Sequence, residues 1–383
     1  SSLKEVTIPA KVKTIEPGAF YGSQVENIYT DPFSETFTAR GGLLFTKDDQ
    51  LAACPNGRQG EELTISGDLR SIAEGAVYKI PGMKRLFIES SDYSTVAELA
   101  PGGIVSEDGS LPDVYINDAT WDQTLFEEYL YDDSWEDYVN AGKLHRYFPL
   151  TVLPDFVVNV EGQKRYLASM FIGFDTQLPD GATACIVSEA NMNTRKAHML
   201  GKGSLVPARS PVLITAMKPG VYHLTPYEEE LEMWPTYENR LQGTGRDGMS
   251  IGQQYSAQGS ICTLNKPDGK QEAGFHFDQN KTVPAFSTYL TFNTIGLTPE
   301  QARDTHYDIV FEASDDKNIT DGDYVYDVHS VSAVSLYAAK IASYHGKGGK
   351  VTIPKSMTFT TFDERQVEVP VVEMGPAAFA GND

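Results

Sequence analysis

The sequence predicts a mainly β protein: a short repeat solenoid with a helical cap, followed by antiparallel β-sandwich modules and the start of a further repeat segment. Three observations support this prediction. Four apolar positions return at a constant offset of 57 residues, short apolar runs divided by Gly and Pro fill the middle of the chain, and the repeat signature resumes near residue 350. Self-similarity at a fixed offset is typical of stacked repeat architectures.

The first repeats span residues 1–148. The recurring positions are Ile8 and Ile65, Val12 and Leu69, Ile15 and Ile72, and Ala19 and Ala76. Short apolar strands accompany them, and equivalent strand positions lie 22 residues apart from Thr7 to Tyr29 and 23 apart from Thr64 to Phe87. Both spacings fall within the range of about 20–29 residues of a leucine-rich repeat. Since one such unit cannot bury its apolar side alone, stacking of neighbours completes the core.

An insertion at about residues 32–60 interrupts the repeats. Its apolar runs Gly41–Phe45 and Leu51–Pro55 are separated by the polar segment Lys47–Gln50, which predicts a β-hairpin. This Gly-Leu-Leu-Phe … Leu-Ala-Ala-Cys-Pro hairpin, set within Ile-Pro-x-x-Val-x-x-Ile-x-x-x-Ala-Phe repeats, resembles the BspA-like leucine-rich repeat proteins of Bacteroides-type bacterial surfaces. The resemblance covers roughly 3–148 and 350–383. It implies an adhesive surface protein but fixes no ligand.

The segment from Thr120 to Ala141 carries aromatic and aliphatic residues at intervals of three to five, which indicates one or two amphipathic helices. Because a solenoid needs its exposed terminal coil sealed, we assign this segment as the C-terminal cap of the solenoid. An alternative is a sugar-binding aromatic cluster, formed by Trp121, Tyr129, Tyr131 and Trp135.

Residues 149–296 are predicted to form one or more β-sandwich modules, because Gly and Pro divide this part into short strands. An internal echo supports a modular arrangement: Leu205–Leu213 parallels Thr282–Leu290, 77 positions on. Residues 297–349 are assigned as a β-rich connecting segment. Residues 350–383 are assigned as a partial leucine-rich repeat, which includes a hairpin between Thr358 and Val369 and the repeat signature at Met374.

Charge and hydropathy exclude two classes of partner. The net charge of −22 argues against nucleic acid and anionic membrane, since phosphates are bound by clusters of Lys and Arg. No apolar run approaches the roughly 18–20 residues that span a bilayer. We therefore expect no direct membrane insertion of this segment.

No motif points to catalysis, a metal or a cofactor, so we expect a protein that is not an enzyme. The closest histidines, His329 and His345, are 16 positions apart, which is not metal-ligand spacing. Cys185 and His198 lack an oriented third partner for a thiol dyad. The segment Asp315–Asp323 imitates part of a calcium loop, but its glycine comes one position late and no Glu occupies the twelfth place, so a polar turn is the better interpretation.

One surface is a candidate binding site. If the strands align as the repeats indicate, Tyr29, Phe87 and Tyr115 form an outward row, with Lys84 and Arg85 beside it. Aromatic residues and Arg are favoured in binding patches, although the same row could be a cross-strand ladder that only stabilises the sheet. We therefore predict a non-catalytic extracellular or cell-surface protein that binds a host or neighbouring-cell protein. The alternatives are a glycan-binding surface lipoprotein that assists nutrient capture, and a structural spacer.

Overall fold

The computed structural model describes the chain over the following residues: 3–90, 95–121, 124–160, 163–236, 239–250, 259–266, 272–277, 282–293, 301, 304–311, 315–329, 338–347, 350–360, 366–375 and 378–380. The chain divides into two compact units. The first, termed the solenoid unit, comprises Ser1–Leu150, Ile172–Phe174 and Val221–Glu228. The second, termed the module unit, comprises the remainder.

The elements are mainly strands. In the first part of the chain they are β1 (Glu5–Ile8), β2 (Asn27–Thr30), β3 (Phe37–Arg40), β4 (Leu43–Thr46), β5 (Gln50–Ala53), β6 (Glu62–Ser66), β7 (Ser71–Ile72), β8 (Val77–Tyr78), β9 (Arg85–Glu89), β10 (Glu98–Leu99), β11 (Ile104–Val105), β12 (Asp113–Asn117), α1 (Leu125–Tyr131), α2 (Glu136–Asn140) and β13 (Leu144–Val152). The middle part contains β14 (Val157–Val160), β15 (Gln163–Met170), β16 (Thr176–Gln177), β17 (Ala182–Asn191), β18 (Lys196–Gly203), β19 (Leu205–Val206), β20 (Val212–Ala216), β21 (Gly220–Leu224), β22 (Leu241–Gly243), β23 (Met249–Ser250), β24 (Gly259–Asn265), β25 (Gly274–Phe277), β26 (Thr282–Val283), β27 (Thr288–Asn293) and β28 (His306–Phe311). The last part contains β29 (Asp315–Asp321), β30 (Tyr324–His329), β31 (Ala338–Tyr344), β32 (Ser356–Thr360) and β33 (Gln366–Met374).

In the main sheet of the solenoid unit, strands from successive coils run parallel: β6, β9, β12 and β13. The strand order of the sheet is β21-β13-β12-β9-β6. Equivalent inward positions carry Leu63, Leu86, Val114 and Leu144, which pair in register and are all buried in one core. These alternating apolar residues drive the stacking, because each coil supplies one apolar layer that the next coil covers.

The coils contribute further parallel rows beside this sheet. The two-stranded sheet β1-β2 pairs Thr7 with Tyr29, and β5, β7 and β10 align Leu51, Ile72 and Leu99. The predicted hairpin is confirmed: β4 pairs antiparallel with β5, and β3 pairs antiparallel with β4. The inserted hairpin therefore ends in a strand that belongs to the second row of the solenoid.

The helical segment packs against the solenoid core. Helix α1, a 3-10 turn at Asp133–Trp135 and helix α2 follow one another, and the Thr124 side chain caps α1 by accepting from the N–H of Glu127. The Trp135 Nε1 donates to the carbonyl of Ala97 at 2.7 Å. However, these helices do not close the sheet. They lie within the coil between β12 and β13, and β13 and β21 continue the sheet after them.

The module unit contains one sheet of ten strands, in the order β14-β15-β20-β17-β18-β28-β25-β24-β27-β22. Neighbouring strands in this order run antiparallel, apart from β18 and β28, which run parallel. Strands from both sides of this parallel seam contribute to one hydrophobic core, which includes Val187, Leu213, Phe275 and Leu290.

The 77-residue echo reflects a duplicated module. The strand order β15-β20-β17-β18 on one side of the sheet corresponds to β22-β27-β24-β25 on the other. Each copy adds a small two-stranded sheet, β16 with β19 and β23 with β26. Cys185 and Cys262, also 77 positions apart, are buried in the shared core. The sequence echo thus marks two copies of one strand arrangement.

The predicted connecting segment does not form a separate region. Its first strand, β28, joins the ten-stranded sheet, whereas β29, β30 and β31 form a second sheet with β33 and β32. The hairpin predicted between Thr358 and Val369 is present as β32 and β33. Ala378 is buried in the core of this second sheet, and its carbonyl accepts from the N–H of Tyr344 at 2.8 Å. This part of the tail therefore packs on preceding strands of the same chain.

Among the helices in the described part of the chain, none is long and apolar enough to cross a membrane.

Candidate binding face of the solenoid

The strand registers bring most of the predicted row together. Thr64, Phe87 and Tyr115 are direct neighbours on β6, β9 and β12, and Thr7 is the neighbour of Tyr29 on β1 and β2. The row is nevertheless interrupted, because β1 and β2 form a sheet of their own that is not hydrogen-bonded to β6.

A ring stack occupies the part of the face that lies on the main sheet. The Phe87 and Tyr115 rings stack with their centroids 4.8 Å apart and their planes 20° from parallel. His145, which pairs with Tyr115 in the next coil, extends the stack at 4.9 Å. Sequence reasoning missed His145, although the 30-residue coil that ends in Leu144 and His145 continues the same in–out alternation. This arrangement is the cross-strand ladder that was the alternative interpretation of the row.

The expectation that Phe87 is accessible is wrong. Its side chain is only 2% exposed. The His223 ring lies 3.9 Å from the Phe87 ring, centroid to centroid, and Tyr147 meets Phe87 edge-on at 5.0 Å. The segment that carries His223 thus covers the middle of the predicted row. Burial lowers the pKa of His223, because desolvation disfavours the imidazolium.

Tyr29 remains accessible, with 45% of its surface exposed. Its hydroxyl donates to the Glu5 carboxylate on the neighbouring strand at 3.4 Å. Tyr115 is half-buried between its ring neighbours, and burial followed by the charge of Asp113 raises its phenol pKa. Of the three predicted aromatic residues, Tyr29 is therefore the one that offers most of its ring to a partner.

Lys84 and Arg85 are neutralised by the adjacent coil. The Lys84 ammonium lies 2.6 Å from a Glu61 carboxylate oxygen, and the Arg85 guanidinium lies 2.8 Å from Glu62. Glu61 and Glu62 sit one coil earlier at the matching positions. Lys4 and Glu26, which directly precede β1 and β2, form a similar ion pair between coils at 2.5 Å. These exposed ion pairs contribute little stability, but they leave the predicted site without a dominant positive charge.

Asp113, at the start of β12, is the carboxylate that pairs with the basic side chains of the next coil. Its carboxylate lies 2.9 Å from His145 Nε2 and 3.2 Å from Lys143 Nζ. Partial burial opposes ionisation of Asp113, but the hydrogen bonds from His145 and Lys143 outweigh it, so the carboxyl pKa is below its ordinary value. The face therefore has a charge-paired edge beside an aromatic stack.

An exposed aromatic residue near Tyr29 was missed by the sequence reasoning. Phe33 is 86% exposed. It lies in a turn that is fixed by the Asp31 side chain, which accepts from the N–H of Phe33 at 2.8 Å, and by the Ser34 side chain, which accepts from the N–H of Phe37. The sequence Pro32-Phe33-Ser34 contains no signal that distinguishes an exposed ring from a buried one.

The alternative aromatic cluster of the cap does not form an open platform. Tyr129 and Trp135 are buried in the solenoid core, where their rings meet edge-on. Tyr131 points to solvent at 87% exposure. Trp121 is half-buried. A sugar could not stack on the two buried rings.

The cysteines and the segment Asp315–Asp323, considered above for nucleophilic and calcium chemistry, have environments that suit neither role. All three cysteines are buried, and burial raises the pKa of the Cys54 and Cys185 thiols to about 12. Such thiols are poor nucleophiles at neutral pH. Asp315–Asp323 runs through β29 into a hairpin turn at Gly322, as a polar turn should. Within the described ranges no cluster of three or more His, Cys, Asp or Glu residues could hold a metal ion.

Comparison with known proteins yields two solved structures. A leucine-rich repeat protein from Eubacterium ventriosum matches 30% of this chain and 30% of its own length at 23% identity, with a TM-score of 0.23. The pneumococcal vaccine antigen PcpA matches 37% of this chain and 54% of its own length at 14% identity, with a TM-score of 0.17. At these TM-scores neither superposition supports an argument about this chain, and the solenoid assignment rests on its own strand registers. The chain matches no protein-family model and no curated protein.

Proposed function

We propose that this chain is a non-catalytic binding protein, secreted or on the outer surface of a bacterial cell, that recognises a protein ligand. The contact is centred on Tyr29 and Phe33 at the β2 end of the solenoid. The observation that carries the proposal is the pair of well-exposed aromatic rings on a fixed strand and turn. Large exposed aromatic residues on a preorganised backbone are typical anchors of protein interfaces, because they bury apolar area at little entropic cost.

Three features support this assignment. The repeat spelling resembles that of BspA-like surface proteins. The rest of the predicted row is occupied, since Phe87 lies under His223 and both basic residues are paired with carboxylates. The turn at Phe33 is held by backbone N–H groups that donate to the Asp31 and Ser34 side chains, so the ring is presented without further ordering.

The test is binding of the full chain to an array of host matrix proteins, beside the double variant Tyr29→Ala/Phe33→Ala. We expect the double variant to lose at least about tenfold in affinity, as hot-spot residues do. Tyr131→Ala is the control, because Tyr131 is as exposed as Phe33 but lies on helix α1. Equal binding by wild type and the double variant would contradict the proposed site. Absence of any protein ligand would favour the structural spacer.

A further inference from the structure

The module unit contains a cleft that is separate from the solenoid face. Its cavity volume is about 60 Å³, and its mouth is open to solvent. Apolar groups from Trp234, Pro211 and Pro235 share its lining with the polar side chains of Arg209 and Thr236. Specific ligand pockets commonly combine an apolar wall with a few polar groups.

The two walls of the cleft are held by the same carboxylate. Asp175 Oδ1 accepts from the N–H of Ala208 at 2.6 Å, beside Arg209, and Oδ2 accepts from the N–H of Leu231 at 2.9 Å, beside the Trp234 segment. The far end of that segment is pinned by Asn239, whose side chain donates to the carbonyl of Pro211 at 2.7 Å. The cleft is therefore preformed.

Arg209 differs from its counterpart in the second module. Both Arg209 and Phe286 have positive φ angles, of 58° and 52°, at the same point of the duplicated turn. The Phe286 ring is buried in its module, whereas Arg209 is exposed and lines the cleft. The same turn therefore presents a cation at the cleft in one copy and a core residue in the other.

The local charge restricts the class of ligand. Glu229, Glu230 and Glu232 precede Trp234 directly, and they repel phosphates and other polyanions. The Trp234 indole is half-buried, with the Lys202 Nζ 6.0 Å from its ring centroid. An indole face suits the C–H face of a pyranose ring, while guanidinium and hydroxyl groups at the rim suit its hydroxyls.

We propose that the Trp234 cleft binds one uncharged pyranose residue of a glycan, stacked on the indole with Arg209 donating to ring hydroxyls. This site is independent of the protein-binding face at Tyr29. It gives the first of the duplicated modules a lectin function.

The test is an array of glycans with neutral hexose, N-acetylhexosamine and uronic acid termini, probed with the full chain. Hits are then titrated as free sugars by isothermal titration calorimetry, which does not depend on the Trp234 fluorophore. Trp234→Ala and Arg209→Gly are each expected to weaken binding at least tenfold. Arg209→Gly is informative because glycine accepts a positive φ without strain, and an unchanged circular dichroism spectrum separates a loss of binding from misfolding.

Arg195→Gly is the matched control. Arg195 also has a positive φ, of 56°, but it lies at the β17–β18 turn and is not part of the cleft lining. We expect Arg195→Gly and Tyr29→Ala/Phe33→Ala to bind the glycan as wild type does. The proposal is overturned if wild type binds no glycan, if it binds only acidic sugars, or if Trp234→Ala and Arg209→Gly bind unchanged. Failure at the cleft leaves the protein-array result at Tyr29 unaffected, so the two proposals can be rejected separately.

Discussion

Arg209 and Phe286 lie 77 positions apart and hold the same left-handed backbone, one with an exposed side chain and the other with a buried ring. The two sequence repeats therefore share a backbone turn at this position, although the residue types differ. This difference predicts that the two positions respond oppositely to substitution.

Arg209→Gly should stabilise the module unit by about 1 kcal/mol, because it relieves an unfavourable positive φ. Phe286→Ala should destabilise the same unit by about 3 kcal/mol or more, because it leaves a cavity in the core. Urea unfolding followed by Trp234 fluorescence, in a background with Trp121 and Trp135 replaced by Phe, measures both. Destabilisation by Arg209→Gly would show that the guanidinium has a structural role.

Alanine substitutions of Phe87 and Tyr29 should differ in their effect on the free energy of unfolding. Phe87→Ala removes a buried ring that contacts His223 and Tyr115, so the free energy of unfolding of the solenoid unit should fall by about 3 kcal/mol. Tyr29→Ala changes an exposed site and should stay within about 0.5 kcal/mol. In a Trp234→Phe background the remaining tryptophans lie in the solenoid unit, and their fluorescence reports its unfolding. Similar effects of both substitutions would contradict the burial assigned to Phe87.

Trp135 should be essential for the packing of helices α1 and α2 against the solenoid core. Its ring is fully buried and its Nε1 donates to the carbonyl of Ala97, so Trp135→Ala should cost about 3–5 kcal/mol. Trp135→Phe keeps most of the apolar contact but leaves that carbonyl without its donor, for a smaller loss of about 1–3 kcal/mol. Hydrogen exchange at the N–H of Ala97, which donates to Tyr129, gives a local readout. Unchanged exchange in Trp135→Ala would exclude this role.

Asp113 should stabilise the solenoid unit at neutral pH and lose that effect in acid. Its pKa is lower in the folded protein than in the unfolded chain, so the stabilisation is present above the unfolded pKa of about 3.9 and disappears as the pH falls through the folded pKa. Carboxyl NMR titration should give a pKa below the ordinary aspartate value in wild type. In His145→Ala the pKa should rise, because a hydrogen bond to the carboxylate is lost. An unchanged pKa in that variant would assign the shift to Lys143 alone.

Local and periodic features were predictable from the sequence. The strand spacings of 22 and 23 residues predicted the registers of Thr7 with Tyr29 and of Thr64 with Phe87. The polar turn predicted the β4–β5 hairpin. These signals succeed because a strand's in–out alternation and its turn residues are encoded within a few positions.

Contacts between distant segments could not be read in the same way. His223 covers Phe87 from more than 130 positions away, and no periodicity links them. The place of the helical segment in the solenoid could not be predicted either. Aromatic spacing indicated which face of the helices packs, but it did not show that the sheet continues after them, where Leu144 pairs with Val114. The Trp234 cleft was missed because its walls, joined at Asp175, come from three separate segments.

The parallel seam between β18 and β28 has a consequence for how the chain acquires its structure. Until His306–Phe311 has been synthesised, the edge of Lys196–Gly203 that pairs with it stays open, although its other neighbour β17 is already available. Open strand edges invite pairing with other molecules. A chain truncated before residue 306 should therefore self-associate or exchange strands. Strand β28, the last of the large sheet to be synthesised, thus protects the sheet from aggregation by pairing with the open edge.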